Sequence, residues 1–346
     1  MNIISVEASR PYKVLIEKGL LDRIGELSQK HGLAGKVCVI SDSHVFPLYF
    51  ERVKKSLEAA GYEVFSYVFE SGEKSKNAEN FIEILNFLAQ QHFTRTDSVF
   101  ALGGGVTGDL AGFCSASYMR GIHFVQIPTS LLAMVDSSVG GKTAIDLAAG
   151  KNLAGAFYQP DFVLVDTAVL TTLPQQFLQD AMAEVIKYAM ITKNNIFELL
   201  NEDKLDDVIA ECIRIKSDIV REDEFEGGIR RLLNFGHTIG HAIEALSSFG
   251  ITHGNAVAIG MSIITRAWEK RGLCQAGTAA FLEQYLKANA LPTTCTFTSQ
   301  ELVSLCASDK KMEGSTMNLV VPTEVGVCRV EKITLAELAT ILDDGI

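Results

Sequence analysis

Three of the chain's seven histidines fall in the stretch Asn234-Phe-Gly-His237-Thr-Ile-Gly-His241-Ala-Ile-Glu244 and in the His253-Gly254 pair just beyond it. Four-residue spacing puts His237 and His241 on one face of a helix, and His253 can return from the next loop or helix start to complete a metal or anion site. Two such histidines could instead be buried and hydrogen-bonded among Phe235, Ile239 and Ile243. Three of them, each beside a glycine or one turn from one and flanked by Arg230, Arg231 and Asn234, favour metal or catalytic chemistry.

A second kind of chemistry is written in glycine. Gly103-Gly-Gly105-Val-Thr-Gly108-Asp109 satisfies the dinucleotide pattern Gly-x-Gly-x-x-Gly after a strand-like run and before a helical one, where backbone N–H groups can close on a pyrophosphate. The acidic residue normally found some twenty residues on is missing, and Asp42, at the end of an earlier strand, is the candidate ribose partner. Ser137-Ser-Val-Gly140-Gly-Lys142-Thr143 ends like a triphosphate-binding loop, but Asp136 stands where its first glycine belongs. What remains is a gathering of backbone donors, hydroxyls and an ammonium beside a carboxylate. Lys151-Asn152 looks like part of another turn, and Glu73-Lys-Ser-Lys76 lies at a helix start.

These residues need elements to hold them. Lys36–Asp42, Tyr62–Phe69, Ser98–Leu102, His123–Ile127 and Val163–Asp166 read as strands. Between them Pro47–Ala60, Asn77–His92 and Thr107–Met119 have helical periodicity. The alternation predicts a mostly parallel sheet with ligands beyond the carboxyl ends of its strands. From Pro174 onward helical windows dominate, at Leu178–Met190, Leu205–Val220, Ile229–Leu246, Ala256–Arg271 and Gly277–Asn289. A strand-like pair, Asn318–Pro322 and Val327–Val330, precedes a last helix that Thr334 can cap. The expected organisation is an α/β amino-terminal domain, 1–172, with a Rossmann-like parallel sheet. A mainly α-helical carboxyl-terminal metal-binding domain, 173–346, follows, and chemistry is expected between the two.

Composition narrows the rest. A chain of 346 residues with 47 % hydrophobic content suits two globular domains. Seven cysteines without a Cys-x-x-Cys pair read as apolar fillers in a reducing compartment. A formal net charge of −11 argues against a nucleic-acid surface and requires any site for an anion to be locally basic. Met1-Asn-Ile-Ile-Ser does not open like a secretory signal, and no apolar run reaches membrane-spanning length, so no membrane is expected and the cytoplasm is the expected compartment.

Taken together, the motifs resemble the 3-dehydroquinate synthase family. The matching blocks are Ser71–Lys76, Gly103–Asp109, Tyr118-Met-Arg-Gly121, Pro128–Thr143, Gly150-Lys-Asn152, Ala183-Glu-Val-Ile-Lys187, Leu233–His241, His253-Gly254 and Asp309-Lys-Lys311, in the family's order. The resemblance implies conversion of 3-deoxy-D-arabino-heptulosonate 7-phosphate to 3-dehydroquinate and phosphate. The steps are transient oxidation by NAD, phosphate elimination, re-reduction, ring opening and intramolecular aldol closure. It also implies a divalent metal, zinc or cobalt, on Glu184, His237 and His253, moving His241 from metal ligand to substrate contact.

By the same resemblance NAD meets Asp42, Glu73, Lys76, Gly104, Gly105, Val106, Asp109, Thr129, Ser130, Lys142, Lys151 and Thr172. The anionic sugar-phosphate substrate meets Asp136, Lys142, Asn152, Lys187, Lys216, Arg230, Asn234, His241 and one of Lys310 and Lys311. Arg120 matches an arginine that reaches into a neighbouring subunit's site, implying a homodimer. The chain departs from the family's usual pattern at Gln176-Phe177, Asp180-Ala181-Met182, Asp146 and Asn255. Other readings are a related sugar-phosphate cyclase such as 2-deoxy-scyllo-inosose synthase, a metal-dependent NAD polyol dehydrogenase, or a catalytically weakened scaffold. Lys216, Arg230 and Asn234 favour a carboxylate-bearing substrate over the first.

Overall fold

A computed structural model describes residues 1–202, 204–248, 250–306, 312–313 and 316–346. The chain forms two compact units, Met1–Leu173 with Lys216–Phe225, and Pro174–Ile215 with Glu226–Ile346. The segment Lys216–Phe225, which a single boundary near Thr172 gives to the second half, thus packs with the first.

The first unit contains β1 (Asn2–Val6), β2 (Tyr12–Ile16), β3 (Lys36–Asp42), β4 (Glu63–Phe69), β5 (Ser98–Gly103), β6 (His123–Pro128), β7 (Lys142–Leu147), β8 (Gly150–Phe157) and β9 (Phe162–Val165). Seven of them form one sheet in the order β1-β2-β9-β6-β5-β3-β4, parallel except where β1 meets β2. The interior strands are covered on both faces, so Val37-Cys-Val-Ile40 and Val99-Phe-Ala-Leu102 are buried without alternation. From β3 the chain builds β4 on one side and β5 on the other. That reversal opens a crevice at the strands' carboxyl ends, where Asp42 finishes β3 and Gly103 finishes β5.

The helix Gly105–Ser117 starts at this crevice. Its Gly108 lies so close to β6 that a Cβ would come within 2.6 Å of Gln126 Oε1, which explains the third glycine of the motif. Lys142-Thr143 opens β7, in keeping with the missing first glycine of a triphosphate loop, whereas Lys151-Asn152, expected in a turn, lies near the start of β8, the second strand of an antiparallel hairpin. Glu73–Ser75 is a short 3-10 turn, and the following helix, Ala78–Gln90, is capped by Asn77.

In the second unit the helix His253–Lys270 is buried almost all round, as its apolar run Ala256–Ile264 requires. It packs against Gln175–Ile191, His237–Leu246, Thr278–Ala288 and Leu335–Gly345. The antiparallel pair Thr316–Glu324 and Val327–Thr334 is present, and Thr334 and Glu337 form a reciprocal capping box on the last helix. The helix expected over Ile229–Leu246 is broken. A 3-10 turn, Ile229–Asn234, ends at Phe235, Gly236 turns left-handed at φ 80°, and a new helix, His237–Leu246, begins. Among the described residues no helix is long and apolar enough to cross a membrane.

Candidate active site

Glu184, His237 and His253 converge in the second unit. Glu184 is fully buried on Gln175–Ile191, and each histidine is the first residue of its helix. The two Nε2 atoms lie 3.4 Å and 3.6 Å from Glu184 Oε1, and one ligand atom from each residue falls within 4.8 Å of the others. The other ring nitrogens fix the tautomers. His237 Nδ1 is 3.1 Å from the Phe235 carbonyl, which can only accept, so Nδ1 carries the hydrogen and Nε2 presents its lone pair. His253 Nδ1 lies 3.3 Å from Glu244 Oε2 and donates there. Two imidazole Nε2 atoms and a carboxylate oxygen aimed at one point call for a shared cation, a proton or a metal ion. One carboxylate and two imidazoles are the donor set of an open-coordinate zinc-type site, so these residues fit a divalent metal.

The pKa shifts describe the same cluster as it stands without a metal. Burial drives His237 well below its ordinary value; Glu184 opposes this, while Lys187, His253 and His241 reinforce it. Burial also disfavours charge on His253, but Glu184 and Glu244 outweigh it and raise that imidazole to about 10. A metal ion on Nε2 would take the place of that proton.

Glycines let the helices meet. A Cβ on Gly236 would approach Val257 O to 2.7 Å, and one on Gly260 would approach Gly240 N to 3.1 Å. Close approach of these backbones brings His237 and His253 to the same carboxylate. His241, one turn beyond His237, is exposed with its ring 5.6 Å from that of His237. It forms a second group with Glu244 and His253. Glu244, which orients His253, escaped the sequence reading although it lies seven residues after His237 on the same helical face.

Lys187, 1 % exposed, is ion-paired with Glu184 one turn away and lies 5.0 Å from the Tyr188 ring centroid. Arg230 is buried on the 3-10 turn Ile229–Asn234, and Asn234 donates to Glu226 at 2.8 Å. Lys310 and Lys311 lie outside the described residues.

The first unit carries a separate cationic group. Lys76, buried to 5 % side-chain exposure, donates to Asn152 Oδ1 at 2.6 Å and to Asp109 Oδ2 at 3.1 Å, and pairs with Glu73 at 3.1 Å. Asp146 accepts from the Asn152 N–H at 2.8 Å and donates its own N–H to the Lys76 carbonyl at 2.7 Å. The departure at Asp146 is therefore built into the group. Burial pushes the Asp109 carboxyl up to about 6 against the pull of Lys76. Burial would favour a neutral Lys76, but Asp109, Glu73 and Asp146 raise it instead. A pocket of about 580 Å³ beside this group is lined by Asp109, Asp136, Lys142, Asn152 and Lys216 among others.

Lys216 donates to the Asp136 carbonyl at 2.7 Å and is ion-paired with its carboxylate, which sits on a widened π-helical turn, Ala133–Ser137. Asp42 spends one oxygen on the N–H groups of His44 and Val45, at 2.9 and 3.0 Å, while the other faces Thr107. Gly104 and Gly105 open the helix beside Ser130 and Ser137, and Val106 packs into the core beneath. Thr129 N–H bonds the Gly103 carbonyl at 2.9 Å. Lys142 and Lys151 are exposed, and Thr172 donates to the Val169 carbonyl at 3.0 Å. Arg120 is exposed in a left-handed run, Met119 φ 50°, Arg120 φ 63° and Gly121 φ 127°.

Residues 66–180 match the family described as 3-dehydroquinate synthase N-terminal, and residues 181–312 match 3-dehydroquinate synthase C-terminal. A 3-dehydroquinate synthase of Clostridium acetobutylicum is 43% identical over 336 residues, 94% of each chain, and one of Streptococcus suis is 43% identical over 343 residues, 96% of this chain and 97% of that one. The chain belongs to the 3-dehydroquinate synthase family. Solved structures share the family's fold. A 2-deoxy-scyllo-inosose synthase complexed with carbaglucose-6-phosphate, NAD+ and Co2+ superposes with TM-score 0.90 at 23% identity over 100% of both chains. A 2-epi-5-epi-valiolone synthase from Streptomyces hygroscopicus with NAD+ and Zn2+ bound gives 0.87 at 23% over 98% of both. An iron-containing alcohol dehydrogenase reaches only 0.67 at 14%, over 98% of both chains.

Proposed function

We propose that this chain converts 3-deoxy-D-arabino-heptulosonate 7-phosphate to 3-dehydroquinate and phosphate, using NAD and a divalent metal, zinc or cobalt. The observation that carries the site is the aim of two imidazoles, each held by its Nδ1 contact, and the Glu184 carboxylate at a single point. Full-length similarity to 3-dehydroquinate synthases supports the substrate. Glu184, His237 and His253 would hold the metal, whose Lewis acidity would lower the cost of negative charge on a substrate hydroxyl oxygen. NAD would supply reversible hydride acceptance and would rest at the Gly103–Gly105 turn, with Asp42, Glu73, Lys76, Val106, Asp109, Thr129, Ser130, Lys142, Lys151 and Thr172 around it.

The chain's own groups do the rest of the binding. Lys187 and Arg230, cations held in buried settings, suit the substrate's carboxylate and phosphate, and Arg230 can meet either with two parallel hydrogen bonds. Lys142, Asn152, Lys216, Asn234 and His241 are assigned to the substrate's remaining oxygens. Lys216 holds Asp136 as a carboxylate through their ion pair, leaving an acceptor for a hydroxyl. A homodimer in the cytoplasm is part of the reading, with the exposed Arg120 as the residue offered to a second subunit.

The test is phosphate release from 3-deoxy-D-arabino-heptulosonate 7-phosphate with NAD and Zn2+, run beside a chelated control. Chelator-sensitive release with 3-dehydroquinate as product supports the assignment. No release from protein that has bound both cofactors sinks it, and glucose 6-phosphate becomes the next substrate to test.

A further inference from the structure

The His253–Lys270 helix starts in an unusual way. Its N-cap, Thr252, has extended backbone angles, φ −69° and ψ 161°, yet its side chain caps none of the helix's own N–H groups. The cap comes from another helix. Asp180, on Gln175–Ile191, accepts the Asn255 N–H at Oδ1, 3.1 Å away, and the Thr252 hydroxyl donates to the same oxygen. Backbone packing supports the contact independently. A Cβ on Gly254 would lie 2.6 Å from the Asp180 carbonyl carbon and 2.8 Å from Oδ1, so only glycine lets the helix start rest on this turn.

Asp180 precedes Glu184 by four residues on one face of Gln175–Ile191, and His253 lies between Thr252 and Gly254. One turn of the first helix therefore grips the residues around His253, while the next turn offers the carboxylate that His253 faces at 3.6 Å. We infer that Asp180 is a positioning residue: its carboxylate clamps the start of the His253–Lys270 helix so that His253 is held against Glu184 for metal binding. The charge is well placed, since a carboxylate at a helix N-terminus also meets the positive end of the helix dipole.

The inference rests on the metal site proposed above, and the experiment separates the two. Full-length protein is stripped with chelator, and Zn2+ affinity is measured by competition with a chromophoric chelator, alongside the melting temperature of the metal-free form. Wild type, Asp180→Ala, Asp180→Asn and Glu337→Ala are compared. Asp180→Ala is expected to bind Zn2+ about 10-fold or more weakly, the range for losing a residue that orients a ligand. Asp180→Asn keeps an acceptor oxygen and should stay within about threefold of wild type. Glu337→Ala, which removes the Glu337 half of the capping box on the last helix, should melt lower with unchanged affinity, so destabilisation alone does not imitate the effect.

Unchanged Zn2+ affinity in Asp180→Ala, or an affinity loss in Glu337→Ala equal to it, overturns the clamp. If Asp180→Ala does not fold, Thr252→Val decides, because it removes the hydroxyl that donates to Asp180 and keeps the side-chain shape: Zn2+ affinity lower by about threefold or more supports the clamp, and a smaller change overturns it. Wild-type protein that binds no Zn2+ overturns the metal reading and the clamp together.

Discussion

Lys187 and Glu184 stand one helical turn apart on Gln175–Ile191 and meet in an ion pair from which solvent is almost wholly excluded, at 1 % and 0 % exposure. Such a pair depends on both charges, because removing the ammonium leaves the buried Glu184 carboxylate with less compensation, chiefly from His253. Lys187→Ala should therefore lower the melting temperature of the metal-free protein, at a cost of about 3–5 kcal/mol, and added Zn2+ should recover part of it by taking over the neutralisation of Glu184. The same variant should still bind metal but lose at least about 100-fold in kcat/KM, being short one cation for an anionic substrate. Normal kinetics in Lys187→Ala would remove it from the proposed site.

His237→Ala tests the donor set directly. Its Nε2 is one of three ligand atoms, and two donors hold zinc poorly. The variant should lose stoichiometric metal after dialysis, with turnover falling in parallel. His241→Ala, which leaves Glu184, His237 and His253 intact, should keep its metal. Equal metal loss in both variants would favour the spacing-based set of three histidines.

Gly236 combines φ 80° with a close approach to the His253–Lys270 helix. Gly236→Ala should cost about 1–2 kcal/mol for the left-handed backbone and about 1–3 kcal/mol more for the displaced neighbours. Because the residue that moves first is His237, Zn2+ affinity should fall together with stability. A variant that melts lower but keeps wild-type affinity would show that the helix junction tolerates the shift.

Much of this arrangement was legible in the sequence, and its gaps have physical reasons. The central strands were readable because double burial makes them continuous apolar runs, and Thr334 announced the last helix by capping chemistry. The helix break at Phe235-Gly236 was not, because Ile229–Leu246 keeps helical periodicity across a residue whose left-handed turn depends on packing against Val257 and Met261. The β7–β8 hairpin was missed because β8 is largely exposed and carries two glycines, so it shows no buried apolar run to mark a strand. Spacing found His237 and His253 but could not find Glu184, about fifty residues earlier in the chain and brought there only by tertiary packing; the family resemblance supplied it. Glu244 and Asp180 act through contacts that no local pattern encodes.

The Lys76–Asp109 pair should leave a mark on the pH dependence of stability. Burial raises the folded-state Asp109 carboxyl to about 6, above the usual carboxylate range, so between about pH 4 and 6 the folded protein holds a proton that the unfolded chain releases. The stability contributed by that bound proton is present at the acid end and is lost as pH rises through about 6. Lys76 is shifted up as well, and its contribution persists until pH climbs past the ordinary lysine range. Other carboxylates titrate in the same window, so the observable is the difference from Asp109→Asn, which keeps the shape but cannot ionise. Relative to that variant, wild type should lose up to about 3 kcal/mol between pH 4 and 6.5, measured by urea unfolding at each pH. Parallel curves for the two proteins would mean that Asp109 ionises as an ordinary carboxylate beside Lys76, and that the ammonium outweighs the cost of burial.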